Sequence, residues 1–372
     1  MANTNFSALT SEQLTIWSRD FWRVARNMSF INQFAGSGPN SMVQEISELT
    51  QSEKGARAVL TLLADMTGDG IVGDNTLEGN EEALRSFDIV VQLDQLRFAN
   101  RLSGRLADQK SVVNFREHSR DALAYAMADR IDQLAFLSLA GIAYTNKNNG
   151  ALRPVLTSGQ NLGDLTFNSD VTAPTSNRHK RINGNDLAAG SVTSITASDT
   201  LKYRHIVDLK AFAKDQYIRG MRGAGNEEMY HFFVSPQVMA DLKLDSDFLS
   251  NVRSAGIRGP NNELFAGSSS LMVDGVMVHE FRHVPNTSQG TSGTQKGGSG
   301  SDIDFAACLF CGAQALAMAD IGLPEIVEDT FDYGNQNGIS IGKIMGVKKP
   351  KYNSDITGQD EDFGVIRVDC AF

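Results

Sequence analysis

Two stretches decide how this chain is read: Ala58-Val59-Leu60-Thr61-Leu62-Leu63 and Phe87-Asp88-Ile89-Val90-Val91-Gln92-Leu93. Each is a short apolar run rich in β-branched and bulky residues, the composition that predicts a strand. Leu96 and Phe98 extend the second run. Between them lies a Gly- and Asp-rich tip from Asp65 to Glu82, so residues 55–104 predict one long two-stranded hairpin. An isolated hairpin is marginal in water, and a long one needs a surface to lie on. Nothing adjacent in sequence supplies it, so a second molecule beneath the ribbon is the expectation.

Charge sharpens that expectation. Residues 65–94 carry eight acids (Asp65, Asp69, Asp74, Glu78, Glu81, Glu82, Asp88, Asp94) and one base, Arg85. Residues 95–130 carry seven bases, among them Arg97, Arg101 and Arg105, against four acids. A negative tip beside a positive segment suits head-to-tail contacts between copies of one chain. Two solvated faces of opposite sign would look the same in sequence.

Outward from the hairpin, the N-terminal side reads as a helical arm. Thr10 and Gln13 form a capping box, and Leu14, Trp17, Phe21, Val24 and Met28 follow at alternating spacings of three and four. Trp17 and Trp22 are the chain's two tryptophans; Phe30, Ile31 and Phe34 come next, before Gly36-Ser37-Gly38-Pro39 breaks the helix. Such a stripe packs either on its own domain or on a neighbouring subunit, and periodicity alone does not choose. On the C-terminal side, Ser111 opens the longest helical pattern, with Phe115, Leu123, Met127, Ile131 and Leu134 on one face and Gly141 as its stop. Roughly thirty residues at 1.5 Å each span about 45 Å, a girder rather than a bundle element.

Beyond it, residues 143–200 turn polar and predict irregular surface loop. Leu201 to Gly220 predicts a helix, His231-Phe232-Phe233-Val234 a strand stopped by Ser235-Pro236, and Gln237 to Leu244 and Phe248 to Val252 short helices. Residues 286–301, nearly all Gly, Ser, Thr and Gln, predict a flexible insert. An apolar stretch from Ala306 to Ala319 precedes two late strands, Gly338 to Val347 and Phe363 to Phe372; Ile366, Val368, Cys370 and Phe372 share one face of the last. The class is α+β with a small central sheet.

Composition bounds function. The chain has 372 residues, 41% hydrophobic and 21% charged, enough for two modest domains and ordinary for a buried core. A net charge of −10 argues against a nucleic-acid binder held by phosphate contacts. No run of 18 apolar residues occurs, so no membrane helix is expected, and the polar N-terminus does not read as a secretory signal. Three cysteines, Cys308, Cys311 and Cys370, are too few for a disulfide scaffold and fit a reducing compartment.

Motifs with chemistry are few. His279-Glu280-Phe281-Arg282-His283 matches the zinc-peptidase H-E-x-x-H, which requires a helix so that i and i+4 histidines grip one metal. Val276-Met277-Val278 before it and Pro285 after it predict a strand, where those histidines stand about 13 Å apart. Asp65-Met66-Thr67-Gly68-Asp69-Gly70 begins like a calcium loop, but Thr76 occupies the position of the bidentate Glu. Cys308-Leu309-Phe310-Cys311 lacks a second pair and reads as buried thiols. Arg178-His179-Lys180-Arg181 reads as a solvated basic loop, with contact to nucleic acid or an acidic neighbour as the sharper alternative. No catalytic residue, metal ligand or cofactor site is assigned.

The order of aromatic arm, long hairpin, long helix and small α+β domain resembles the Hong Kong 97-type capsid fold of tailed phages. In wording it is similar to the N-four-type podophage major capsid proteins. The stretches that carry this likeness include Trp17-Ser18-Arg19-Asp20-Phe21-Trp22, Leu62-Leu63-Ala64-Asp65-Met66-Thr67-Gly68-Asp69-Gly70, Gly73-Asp74-Asn75-Thr76-Leu77-Glu78-Gly79-Asn80-Glu81-Glu82, Arg116-Glu117-His118, Asp129-Arg130-Ile131-Asp132-Gln133-Leu134 and Phe310-Cys311-Gly312-Ala313-Gln314-Ala315. Residues 157–200 and 286–302 fall outside it. The resemblance implies an N-arm (1–54), an E-loop hairpin (55–104), a P-domain spine helix (105–145), an A-domain with inserts (146–330) and late strands returning to these domains (331–372).

It further implies a non-enzymatic shell subunit that assembles as pentamers and hexamers in the host cytoplasm. The shell would enclose double-stranded DNA without sequence-specific binding, with a portal and scaffolding, cement or decoration proteins as partners. An encapsulin-like compartment is the alternative of the same fold, and the zinc peptidase the alternative of another class. Some relatives cross-link through an E-loop Lys; residues 55–104 hold none, so that chemistry is not expected. An arm that starts at Met1 without a long preceding segment predicts no maturation cleavage. Expected inter-subunit contacts are Trp17, Phe21 and Trp22 of the arm, and Asp74, Glu78, Glu81 and Glu82 of the tip against Arg97, Arg101 and Arg105.

Overall fold

The computed structural model describes residues 29–46, 57–63, 69–81, 86–110, 115–155, 159–223, 227–255, 270–354 and 358–372. The predicted arm helix with Trp17, Phe21 and Trp22 lies outside the described residues, as do Asp65 to Gly68 and Glu82.

The predicted ribbon forms. Arg57–Leu63 and Ser86–Gln92 pair antiparallel, from Arg57 opposite Gln92 to Leu63 opposite Ser86. Period-two alternation puts Ala58 opposite Val91 and Leu60 opposite Ile89 on one face, and all four are buried. Their cover is Ile46, Ala317 and Ala319 of the same chain, so the expectation that a second molecule must lie beneath the ribbon is corrected for its base. The covering residues are far away in sequence, which is why no local signal announced them. Lys348 locks the ribbon down, its Nζ donating to the Val90 carbonyl (2.7 Å) and meeting Asp170 at 3.2 Å. Gly346 permits this approach, since a Cβ there would stand 2.2 Å from the Gln92 carbonyl oxygen.

The second run does not continue past Gln92 as one strand. Asp94–Arg101 leaves the ribbon and becomes the edge of a five-stranded sheet. It pairs antiparallel with Gln336–Lys348, which pairs in turn with Leu316–Phe331; Val43–Ile46 and the short Ala35–Gly36 complete the sheet. Leu316–Phe331 and Gln336–Lys348, at 16 and 13 residues, are well above the usual strand length.

The girder helix runs Phe115–Ala140. Leu123, Met127, Ile131 and Leu134 are buried together with Ile339, Ile341, Met345 and Val347 of the long strand Gln336–Lys348. Gly141 (φ +68°) stops the helix in a left-handed conformation, its N–H donating to the Ser138 carbonyl while Ile142 N–H donates to Leu137.

The second sheet has eight strands, of which seven run in spatial order Ser270–Val273, Val276–Glu280, Glu228–Val234, Phe305–Cys311, Val365–Ala371, His179–Asn183 and Asp186–Ala189; Met221–Arg222 pairs beside Glu228–Val234. Phe232, Cys308, Phe310, Ile366, Val368 and Cys370 pack with Ile206 and Leu209 of helix Tyr203–Asp215 and with Val238 and Leu242 of helix Pro236–Leu244. The opposite face, including Phe233, Leu309 and Cys311, packs against the girder helix. A sheet covered on both sides buries its central strands completely, and all seven residues of Val365–Ala371 are buried.

Two polar stretches are more ordered than their composition suggested. Residues 179–189, predicted as surface loop, form a hairpin that extends the eight-stranded sheet. Residues 286–303 are tied back by isolated bridges, Asn286 to Ala306 and Gly297 to Ile303.

Candidate functional site

The tip of the ribbon is the longest unbroken run of exposed residues among those described. Every described tip residue, 69–81, is exposed, including the apolar Val72 (76%) and Leu77 (60%). Its shape comes from its own atoms. Asn75 Nδ2 donates to the Val72 carbonyl, Asn80 Nδ2 to the Thr76 carbonyl, and the Gly79 N–H to Glu81 Oε2. Gly70, Gly73 and Gly79 have φ between +71° and +87°, the conformations that set these turns. Among the described residues, Asp74, Glu78 and Glu81 form no ion pair with the rest of the subunit.

The three predicted acceptors are also exposed. On Asp94–Arg101 burial alternates strictly, with Gln95, Arg97, Ala99 and Arg101 outward. This strand ends the five-stranded sheet, so one side of its backbone has no partner strand among the described residues. The Arg101 guanidinium lies 4.2 Å over the ring of Phe331, the last residue of strand Leu316–Phe331, a cation–π contact. Arg105 opens the short helix Arg105–Lys110, where its N–H donates to Asn335 Oδ1. The structure thus brings Arg97, Arg101 and Arg105 along one edge. Among the described residues none of them pairs with Asp74, Glu78 or Glu81.

Where the predicted arm ends, the chain is pinned inside its own subunit. Asp132 of the girder helix accepts from Ser29 Oγ (2.7 Å), Phe30 N–H (3.0 Å) and Ile31 N–H (3.1 Å). Burial pushes its carboxyl above the ordinary carboxylate range, against the three donors that favour ionisation. Phe30 stacks on Phe281 at 4.2 Å, and Phe34 meets His231 and His279 edge-on. Phe30, Ile31 and Phe34 therefore choose the intramolecular alternative, and this anchor was visible in sequence only as an aromatic excess.

The candidate chemical motifs take structural places. His279 lies within strand Val276–Glu280 and His283 in the turn beyond, so the helix that zinc-peptidase chemistry needs is not formed. His279 Nε2 instead lies 2.8 Å from His231 Nδ1, and burial draws both pKa values down to about 4. His283 lies 2.7 Å from Asp129. Cys308, Cys311 and Cys370 are free and buried, and burial pushes the Cys311 thiol up.

The basic cluster is the clearest correction. Arg178 to Arg181 is not a solvated loop. Arg178 is fully buried, 2.8 Å from Glu361, and also donates to the Tyr352 hydroxyl. His179 meets Asp369 at 2.6 Å, where Arg367 also binds; burial alone would raise that carboxyl, but the Arg367 guanidinium and the hydrogen bond with His179 hold it below its ordinary value. Lys180 Nζ sits 4.2 Å over Phe212. The partner acids lie some 180–190 residues away in sequence, which is why charge patterning misread the cluster.

Comparison with known proteins gives one consistent answer. A family model described as phage capsid protein matches residues 5–372. The chain is 56% identical, over 369 residues, to the major capsid protein of Pseudomonas phage KPP25, covering 98% of this chain and 96% of that one. Its fold is similar to the capsid of Ralstonia phage GP4 (TM-score 0.72, 26% identity, 92% of this chain and 90% of that one). It is also similar in fold to the capsid of cyanophage Pam1 (TM-score 0.70, 17% identity, 100% of this chain and 96% of that one).

Proposed function

Since the chain belongs to the phage capsid protein family, with a Hong Kong 97-type fold, and as a major capsid protein forms the head shell of a phage, we propose that the ribbon tip is its principal inter-subunit contact. The observation that supports this is the tip itself: thirteen consecutive exposed residues, acidic and partly apolar, with turns closed by local hydrogen bonds. Asp74, Glu78, Glu81 and Glu82 would face Arg97, Arg101 and Arg105 of the next subunit, and Trp17, Phe21 and Trp22 would add an arm contact. Exposed pairs contribute only about 0–1 kcal/mol each, so repetition around a closed shell carries the assembly.

The subunit's role in this reading is non-catalytic, in the virion capsid, with assembly into pentamers and hexamers in the host cytoplasm around double-stranded DNA. A portal and scaffolding or decoration proteins are the further partners. Residues 1–54 serve as N-arm, 55–104 as E-loop and 105–145 as spine. The A-domain is taken as 146–330 in this reading, its last strand pairing through Ala317–Ile321 and Glu325–Phe331 with Gln336–Lys348 of the other sheet.

The test is a double reversal, Asp74→Lys with Glu78→Lys, followed by sedimentation and electron microscopy. The expected result is a folded subunit that does not form shells, rescued in part by Arg97→Glu with Arg101→Glu. Normal shells from the reversed tip would refute the contact.

A further inference from the structure

The seat of the arm root holds a pair of titratable groups that the shell reading leaves unused. Residues 29–34 are held on one side by Asp132 of the girder helix, which accepts from Ser29, Phe30 and Ile31. On the other side they meet the eight-stranded sheet, where His231 and His279 stand on adjacent parallel strands. His231 Nδ1 and His279 Nε2 are 2.8 Å apart, so in the neutral pair one ring donates to the other. Phe34 covers both rings edge-on, at 4.8 and 5.2 Å, and Phe30 meets His279 at 6.0 Å. Phe233 of the sheet stacks on His279 at 5.3 Å. Much of the cover over the pair is therefore the arm root itself.

No carboxylate pairs with either ring among the described residues. On the neighbouring strand, Cys311 is the register partner of His231, and burial pushes its thiol up. Glu280, next to His279, meets Lys243 at 3.5 Å, and Glu228, three residues before His231, meets Lys214 at 3.8 Å. Arg222, on the short strand beyond, is exposed. On the girder helix, Asp129 is shared by Arg130, Arg282 and His283, and Asp132 is held by its three donors. Residues 29–34 carry no charged side chain. A proton on the pair would thus add an uncompensated charge beneath two phenylalanines.

Lifting the arm root returns the pair to water. An uncovered histidine takes up a proton near pH 6.5, whereas burial holds both covered rings down to about 4. Between those values, protons favour the uncovered state. Asp132 acts with the opposite sign: burial raises its carboxyl while the root is bound, so acid does not release the root from that side. The sheet has its own support, since Phe232, Phe310 and Val368 pack on its other face.

We propose that residues 29–34 form an acid-opened latch between the girder helix and the eight-stranded sheet, with His231 and His279 as its paired sensor. The hold of the subunit on the root of its own arm then depends on pH, and opening is local rather than global.

Amide hydrogen exchange of the unassembled full-length protein at pH 7 and pH 5, corrected for the intrinsic rate at each pH, tests it. The N–H groups of Phe30, Ile31, Gln33 and Ala35 are all hydrogen-bonded in the closed latch. Their protection should fall at least roughly tenfold between pH 7 and pH 5, the expectation for one histidine moving between these two pKa values. Residues 339–347 should keep theirs. His231→Phe with His279→Phe should abolish the loss. If that variant does not fold, His279→Gln, which keeps a donor and an acceptor for His231, should reduce it. Unchanged protection of residues 30–35 at pH 5, an equal loss at 339–347, or a pH dependence that survives undiminished in the folded variant would overturn the assignment.

Discussion

Along Val365–Ala371 every residue is buried, and along residues 69–81 every residue is exposed. The first segment carries charges too, yet each has a partner in the same chain: Asp369 holds His179 and Arg367, and Arg367 reaches the Ala140 carbonyl. Among the described residues the acids of the second segment make no ion pair, and Glu81 accepts from the Gly79 N–H of its own turn. The strand folds the subunit, whereas the tip is the part proposed above to address a neighbouring one. Separating the two tasks lets one chain be stable alone and still carry unspent contacts for a closed assembly.

The largest effect should come from breaking a satisfied buried charge. Glu361→Ala leaves Arg178 without its carboxylate and should cost about 3–5 kcal/mol in chemical denaturation. Replacing both partners with apolar residues, Arg178→Met with Glu361→Leu, should recover most of that loss. If the single variant is neutral, the buried network does not hold the sheet. Gly346→Ala comes next, because its Cβ would collide with the Gln92 carbonyl and lift the base of the ribbon. A loss of roughly 1–3 kcal/mol in the same measurement is expected.

A smaller effect belongs to His231 and His279. Their folded pKa values, about 4, lie below the unfolded value of roughly 6.5, so the unfolded chain takes up protons first as pH falls. The stability they allow is fully present above about pH 6.5 and is lost progressively toward pH 4. His279→Phe should shrink the difference in Tm of the free subunit between pH 7 and pH 5 by about 2 °C, measured by calorimetry. Last, Asp74→Lys with Glu78→Lys should change subunit stability by less than about 0.5 kcal/mol, since both positions are exposed and neither forms an ion pair with another described residue. A large loss there would mean that the tip takes part in the subunit's own fold.

Much of this architecture was legible because it repeats at short period. The alternation of Ile366, Val368, Cys370 and Phe372 gave the last strand and its face, and the heptad-like spacing of Leu123, Met127, Ile131 and Leu134 gave the girder and Gly141 its stop. The charge asymmetry marked the tip and the arginine edge. What local pattern did not reveal is long-range pairing. Ala317 and Ala319 beneath the ribbon, Glu361 against Arg178 and Asp369 against His179 are distant partners that no window of sequence contains. Asp132 belongs to the same class: it looks like one more helical acid until Ser29, Phe30 and Ile31 fold onto it.

Hydrogen–deuterium exchange on free subunits and on assembled shells tests the division between folding and assembly most directly. Residues 69–81 should exchange freely in the subunit and become strongly protected in the shell, while 365–371 should be equally protected in both. Unchanged exchange at the tip on assembly would contradict the account.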